Sequence, residues 1–220
     1  MTSVQCRQTP TPLRFHRHTS PVVEGSLPLA ELLAFEREAA VELWLDPLSL
    51  ATTVIMPELD LDGHSHGGRP WRLGGRHEVR LRLLPDPDDE ASTLAARAVL
   101  AARAWAVMRE HGDPGPGMDY EIPWSLTASL VRDEVAVRTY GRQHLIVLAA
   151  REGDWLGDWV AEYVDDPAVV AALAAEAAVA VTRGVQFAPA VTVGGLLFDA
   201  ETMPDDIHQR ALGLVNTFSQ

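Results

Sequence analysis

The sequence predicts an α+β fold, an antiparallel or mixed sheet packed against several helices and divisible into two similar halves. Three observations carry this reading. Residues 77–84 alternate apolar Val79, Leu81 and Leu83 with charged Glu78, Arg80 and Arg82, the period of a strand with one buried and one wet face. Residues 88–111 place Leu94, Ala98, Ala101, Trp105 and Met108 on one stripe at helical spacing. Strand-like and helix-like segments also arrive in groups, without the strict alternation that a doubly wound parallel sheet requires.

In chain order, residues 1–25 are rich in Thr, Pro, Arg and His and read as an extended N-terminal arm. Residues 26–220 read as a single α+β domain, with halves at 26–112 and 125–220. A first helix is expected over 27–45: Ser26 can cap it, Leu32, Phe35, Ala39 and Leu43 share a face, and Asp46-Pro47 ends it. Residues 48–56 predict a strand. Residues 60–76 form a loop with five glycines. The helix of 88–111 starts on Asp88, Asp89 and Glu90, which suit its positive end, and Gly112 stops it. The stiff Pro/Gly segment 113–124 connects the halves. Residues 134–140 and 143–150 read as a hairpin turned at Gly141-Arg142. There follow a short helix over 155–164 and an alanine-rich helix from Asp166-Pro167 to Gly184. A strand pair over 185–198 turned at Gly194-Gly195 comes next. Last is an amphipathic helix over 204–218 with Ile207, Ala211, Leu214 and Phe218 inward.

At 220 residues, 47% hydrophobic and 22% charged, the chain can bury one full core. Its net charge of −13 disfavours nucleic acid and anionic membrane surfaces as partners. All 18 basic residues are arginine. With abundant alanine, glycine and proline, this reads as the coding bias of a GC-rich bacterial genome. The absence of lysine excludes a phosphate-binding P-loop, a lysine Schiff base and a kinase-type ATP lysine. One cysteine, Cys6, allows neither an intrachain disulfide nor a cysteine-rich zinc site. No secretory-type apolar run follows the early arginines, and the most apolar stretch, 168–181, carries Glu176 and is too short to span a bilayer. The expected location is cytoplasmic.

The sharpest local pattern is Gly63-His64-Ser65-His66-Gly67-Gly68, a Gly-x-Ser-x-Gly that resembles the nucleophile elbow of α/β-hydrolases. The resemblance implies Ser65 as nucleophile, His208 as base, and Asp154 or Asp158 as third member. The flanks depart from that family: Glu58-Leu59-Asp60-Leu61-Asp62 is no apolar strand, and Arg69-Pro70 interrupts any following helix. The same loop offers a metal reading. His64 and His66 point to one side of an extended segment, and His77 could join them around zinc or iron, with Asp60 or Asp62 supplying a carboxylate. The cupin-like version of this pattern wants a glutamate soon after His66, where Gly67, Gly68, Arg69 and Pro70 stand. Asp60-Leu61-Asp62-Gly63 with Gly153-Asp154 and Asp158 resembles the acidic motifs of haloacid-dehalogenase-like phosphatases, which implies an aspartyl nucleophile and magnesium.

Arg69, Arg72 and Arg76 around Trp71 form a basic-aromatic patch that could grip a carboxylate or a partner, or pair with the chain's own acids. Trp155 and Trp159, four apart, read as core packing or as an aromatic contact for a partner. No catalytic set satisfies both residue type and context. The expectation is therefore a non-catalytic protein-binding or assembly domain acting through protein contacts, with a protein partner or self-association and no cofactor. The alternative is a small enzyme with its site in the loop 60–77, a serine hydrolase using Ser65 or a His-ligated metal enzyme.

Overall fold

The computed structural model describes residues 27–34, 41–49, 51–52, 72–73, 77–110 and 118–198. Its sheet is built around β1 (Val41–Leu45), in which every residue is buried. A strand covered on both faces must be apolar or internally paired. Val41, Leu43 and Leu45 meet the first condition, and Glu42 meets the second, as shown below. On one side β1 runs parallel to β3 (His77–Leu83), with Val41 opposite Val79 and Leu45 opposite Leu83. On the other it runs antiparallel to β4 (Ala190–Val193), with Leu43 opposite Val191. β2 (Arg72–Leu73) flanks β3 and β5 (Leu196–Phe198) flanks β4, both antiparallel, so the order is β2-β3-β1-β4-β5. Gly194 and Gly195 turn the β4–β5 hairpin with φ of 56° and 83°, values that the favoured two-residue turn demands.

The helices follow α1 (Leu29–Ala34) and fill the chain between β3 and β4: α2 (Glu90–Glu110), α3 (Met118–Arg132), α4 (Glu134–Tyr140), α5 (Arg142–Glu152), α6 (Leu156–Tyr163) and α7 (Pro167–Arg183). α2 is the hub and touches α1, α3, α5, α6 and α7. Its buried alanines, Ala95, Ala98, Ala101, Ala102 and Ala106 among them, let five helices approach one. Leu32, Leu48, Leu83, Leu126, Leu130, Leu145, Leu148 and Val160 complete this core. A smaller cluster of Trp44, Ala180, Val185 and Ala190 joins the sheet to the end of α7.

The mixed sheet and its helical cover agree with the expected α+β class. The helices at 88–111, 155–164 and 166–184 and the strand pair within 185–198 also form where expected. Five local readings are corrected. Residues 41–45 form the central strand, not the end of the first helix, and Ala51–Thr52 are helical where a strand was expected. The anticipated hairpin of 134–150 is a pair of helices. Val137, Leu145, Leu148 and Ala149 are buried at helical spacing, while Val135, which completed the apparent alternation, is 77% exposed. The outer face of β3 is not wet, because Arg80 and Arg82 are both buried. The Pro/Gly connection is helical from Met118 onward. The arm at 1–25 and the helix expected at 204–218 lie outside the described residues.

α7 shows how local chemistry sets an element. Asp166 accepts a hydrogen bond from the Ala168 N–H at 2.8 Å, Pro167 occupies the first turn, and Gly184 ends the helix at φ 75°. Asp166→Ala is expected to lower stability by about 1 kcal/mol, read as a shift in the urea midpoint with unchanged slope.

Candidate functional site

The chain leaves β1 through Asp46-Pro47-Leu48-Ser49 and enters a helical turn at Ala51–Thr52. Asp46 organises this corner. Its Oδ1 accepts the Leu48 N–H at 2.9 Å and the Ser92 hydroxyl of α2, and its Oδ2 accepts the Asp86 N–H at 3.4 Å. Its carbonyl accepts the Ser49 N–H at 3.1 Å and the Thr52 hydroxyl at 2.8 Å. The corner is thereby tied to both the segment after β3 and the first turn of α2. Ser49 Oγ accepts the Ala51 N–H at 3.2 Å, and its own O–H has no acceptor among the described residues.

Ser49 opens onto a cleft of about 800 Å³. One wall is the segment 84–87 that follows β3. The other is formed by Ala177, Ala180 and Val181 of α7 and by residues 184–188, which lead to β4 through the cis Ala188–Pro189 peptide. Val181 and Phe187 lie beside it with most of their surface exposed. The cleft sits at the carboxyl ends of the two parallel strands, where sheets with parallel strands characteristically place their ligands.

Behind the cleft, a charge network joins the sheet to the helices. Arg82 of β3 donates to Glu42 Oε1 from Nε at 3.1 Å and from Nη2 at 2.8 Å, and to Glu176 of α7 from Nη1 at 3.1 Å. Arg103 of α2 donates to the other Glu176 oxygen at 3.0 Å. The Thr192 hydroxyl donates to Glu42 Oε2 at 2.9 Å, and the Trp44 indole donates to Thr192 at 3.3 Å. Burial by itself pushes the Glu42 carboxyl up. The hydrogen bonds from Arg82 and Thr192 and the charges of Arg82 and Arg183 outweigh it and hold the group below the usual carboxylate range. The two carboxylates of this network are held by its own arginine and hydroxyl groups.

The residues singled out from sequence are scattered or lie beyond description. Ser65, His208, His64, His66, Arg69, Trp71 and Arg76 are outside the described residues. His77 opens β3, and Arg72 lies in β2 opposite Glu78. Asp154 is exposed in the turn before α6, and Asp158 is exposed on α6. Trp159 donates its indole N–H to the Ala101 carbonyl at 2.9 Å and lies 4.3 Å from the Tyr163 ring, whereas Trp155 is 53% exposed. Among the described residues no group of three or more His, Cys, Asp or Glu is placed to hold a metal ion. Nor is any of their helices long and apolar enough to cross a membrane. Asp46, Ser49 and the cleft walls were missed. Their signal was the run Val41–Leu45, apolar but for Glu42, ending at Asp-Pro and followed by two hydroxyl residues three apart.

No family model matches the chain, and no curated protein matches it. Solved structures do. A thioredoxin-like oxidoreductase from Silicibacter pomeroyi DSS-3 is 20% identical with a TM-score of 0.51, over 83% of this chain and 88% of that one. The MdbA thiol-disulfide oxidoreductase from Corynebacterium diphtheriae is 19% identical with a TM-score of 0.55, over 81% and 85%. The MdbA thiol-disulfide oxidoreductase from Actinomyces oris is 9% identical with a TM-score of 0.52, over 79% and 78%. That these fold neighbours are oxidoreductases overturns the expectation of a non-catalytic domain for protein binding or assembly, which rested on finding no catalytic set in the sequence. At these identities the likeness is one of architecture, and it gives this α+β chain a thioredoxin-like fold.

Proposed function

We propose that the chain is an enzyme of thiol-disulfide chemistry in which the bound substrate, and not the protein, supplies the attacking sulfur. The observation that carries this reading is Ser49. A thioredoxin-like redox motif is Cys-x-x-Cys, with its reactive thiol favoured by a helix N-terminus. The turn out of β1 has the same spacing but reads Ser49-Leu50-Ala51-Thr52, and the whole chain holds one cysteine. No internal dithiol can form. A hydroxyl facing a cleft is suited to another task, donating a charge-assisted hydrogen bond to the thiolate of a bound thiol.

The step balances without a protein cysteine. The bound thiol gives its proton to solvent, and its thiolate, held by the Ser49 O–H, attacks one sulfur of a disulfide. A new S–S bond forms as the old one breaks. The departing sulfur leaves as a thiolate and takes a proton from water. The attacking thiol is oxidised and the leaving thiol reduced, so no further oxidant is needed. Thr52 is not free for this role, since its hydroxyl is committed to the Asp46 carbonyl.

The test is exchange between benzyl thiol and bis(2-hydroxyethyl) disulfide, followed by chromatography of the mixed disulfide. Saturable acceleration is expected, retained in Cys6→Ser and lowered about 10- to 100-fold in Ser49→Ala, the range for losing one hydrogen bond to a charged group. Acceleration that vanishes with Cys6 and survives Ser49→Ala would overturn the reading, as would no saturable acceleration at all.

A further inference from the structure

We propose that the carboxylate of Asp86 makes this cleft selective for ligands without negative charge, so that the thiol or disulfide it takes is neutral or cationic. The inference rests on the thiol reading of the same cleft and adds the class of substrate. Among the described residues lining the cleft are two carboxylates, those of Asp46 and Asp86, and no arginine or histidine. The rest of the lining is apolar apart from Ser49, Gln186 and Gly184.

The two carboxylates differ in what is left of them. Asp46 is occupied by Leu48, Ser92 and the Asp86 N–H. Asp86 is exposed, and its side chain accepts one hydrogen bond, from the Asp88 N–H at 3.0 Å. It has no ion pair among the described residues. Neighbouring cations are turned elsewhere. Arg138 holds Asp89 at 2.5 Å and Glu134 at 2.6 Å, and Arg183, at the end of the α7 wall, is directed to Glu42 at 3.6 Å. The charge of Asp89 is thus matched and that of Asp86 is not. Leu84, Pro85, Val185 and Phe187 suit an apolar body, while a carboxylate or phosphate beside it would meet the negative charge of Asp86, which no cation among the described residues offsets.

The test is a size-matched series of benzyl thiols bearing a para aminomethyl, methyl or carboxylate group. Binding is measured by calorimetry at low ionic strength on the full chain carrying Cys6→Ser, with the three corresponding benzyl alcohols run in parallel. Binding is expected to fall in the order cation, neutral, anion, with at least about tenfold between the ends. Asp86→Asn should bring the ends to within about threefold, and Asp86→Arg should reverse the order. Both variants keep the backbone N–H that binds Asp46, and thermal melts confirm folding. Thiols that bind without charge order, or an order that Asp86→Asn leaves intact, would overturn the charge selection and leave the thiol reading standing. Alcohols that bind as tightly as the thiols, in the expected order, would overturn the thiol reading and leave the charge selection standing. If none of the six compounds binds, both fall.

Discussion

Replacing Glu176 with alanine is expected to remove about 3–5 kcal/mol of folding stability, a large share of what a domain of this size possesses. Glu176 is 3% exposed and is held by Arg82 at 3.1 Å and Arg103 at 3.0 Å. Without it, Arg82 loses one of the carboxylates that hold it, and Arg103 loses the acceptor it has in the network. Arg103 Nε is already buried without a hydrogen-bond partner among the described residues. The magnitude comes from uncompensated buried charge, not from the pair's own strength. Two comparisons separate these. Glu176→Gln keeps the shape and one acceptor and should cost less than Glu176→Ala. Asp165→Ala breaks surface pairs with Arg97, at 3.3 Å, and with Arg142, and should cost no more than about 1 kcal/mol. Denaturant midpoints for the three variants decide the matter; equal losses for Glu176→Ala and Asp165→Ala would show that the network carries no special weight. Acid should act on the same place. The Glu42 carboxyl is held below its ordinary range, so its stabilising contribution is complete above its unfolded value and is lost as pH falls through the lower folded one.

Gly157→Leu is expected to prevent α6 from docking on α5. A Cβ at Gly157 would stand 2.8 Å from Ala150 Cβ, 3.0 Å from the Ile146 carbonyl oxygen and 3.3 Å from Ala150 Cα. Two of those three atoms belong to backbone, so the helices must separate and not merely repack. In an open helix, Gly→Ala would gain at most about 1 kcal/mol from propensity. Here overpacking of roughly 1–3 kcal/mol opposes it, making Gly157→Ala neutral to destabilising. Leucine brings three more carbons into the same contact and should abolish the cooperative transition or lower its midpoint far more. Ala150→Gly removes the closest atom and should recover part of the Gly157→Ala loss. A double-mutant cycle measures that coupling, and strict additivity of the two changes would show that the helices do not meet at this point.

What the sequence disclosed follows from how local each signal is. α7 was legible because Asp166, Pro167 and Gly184 act within their own turns. The β4–β5 hairpin was legible because two adjacent glycines readily adopt the positive φ that a tight two-residue turn demands. β1 was not, because Val41, Leu43 and Leu45 fit a helix tail as well as a strand until β3 and β4 flank them. α4 and α5 were misread because Val135 and Val137 alternate by chance, and tertiary burial of Val137 and Leu145 overrode β propensity. Arg82 looked like a solvent-facing residue since its two carboxylates lie 40 and 94 positions away. Ser49 escaped for the same reason as β1: with residues 48–56 taken as a strand, the hydroxyl lay in mid-element, not at a corner over a cleft. The motifs that drew attention, around Ser65, were short patterns in a glycine-rich loop, whereas the cleft is assembled from separate stretches of chain at 46–49, 84–87, 177–181 and 184–188.

The placement of β1 has a bearing on how the molecule is made. Its indole donor Trp44 meets Thr192 across 148 positions of chain. On the ribosome, therefore, the central strand can be joined early by β3 but stays open along its other edge until residues 190–193 have emerged. The helices of 90–183 are synthesised during that interval, and their contacts with one another do not need the missing strand. The cleft cannot exist before then, since residues 184–188 form part of its wall. A chain stalled or cut short of residue 184 lacks this wall of the cleft, so ligand capture would report synthesis beyond residue 188 as well as correct folding.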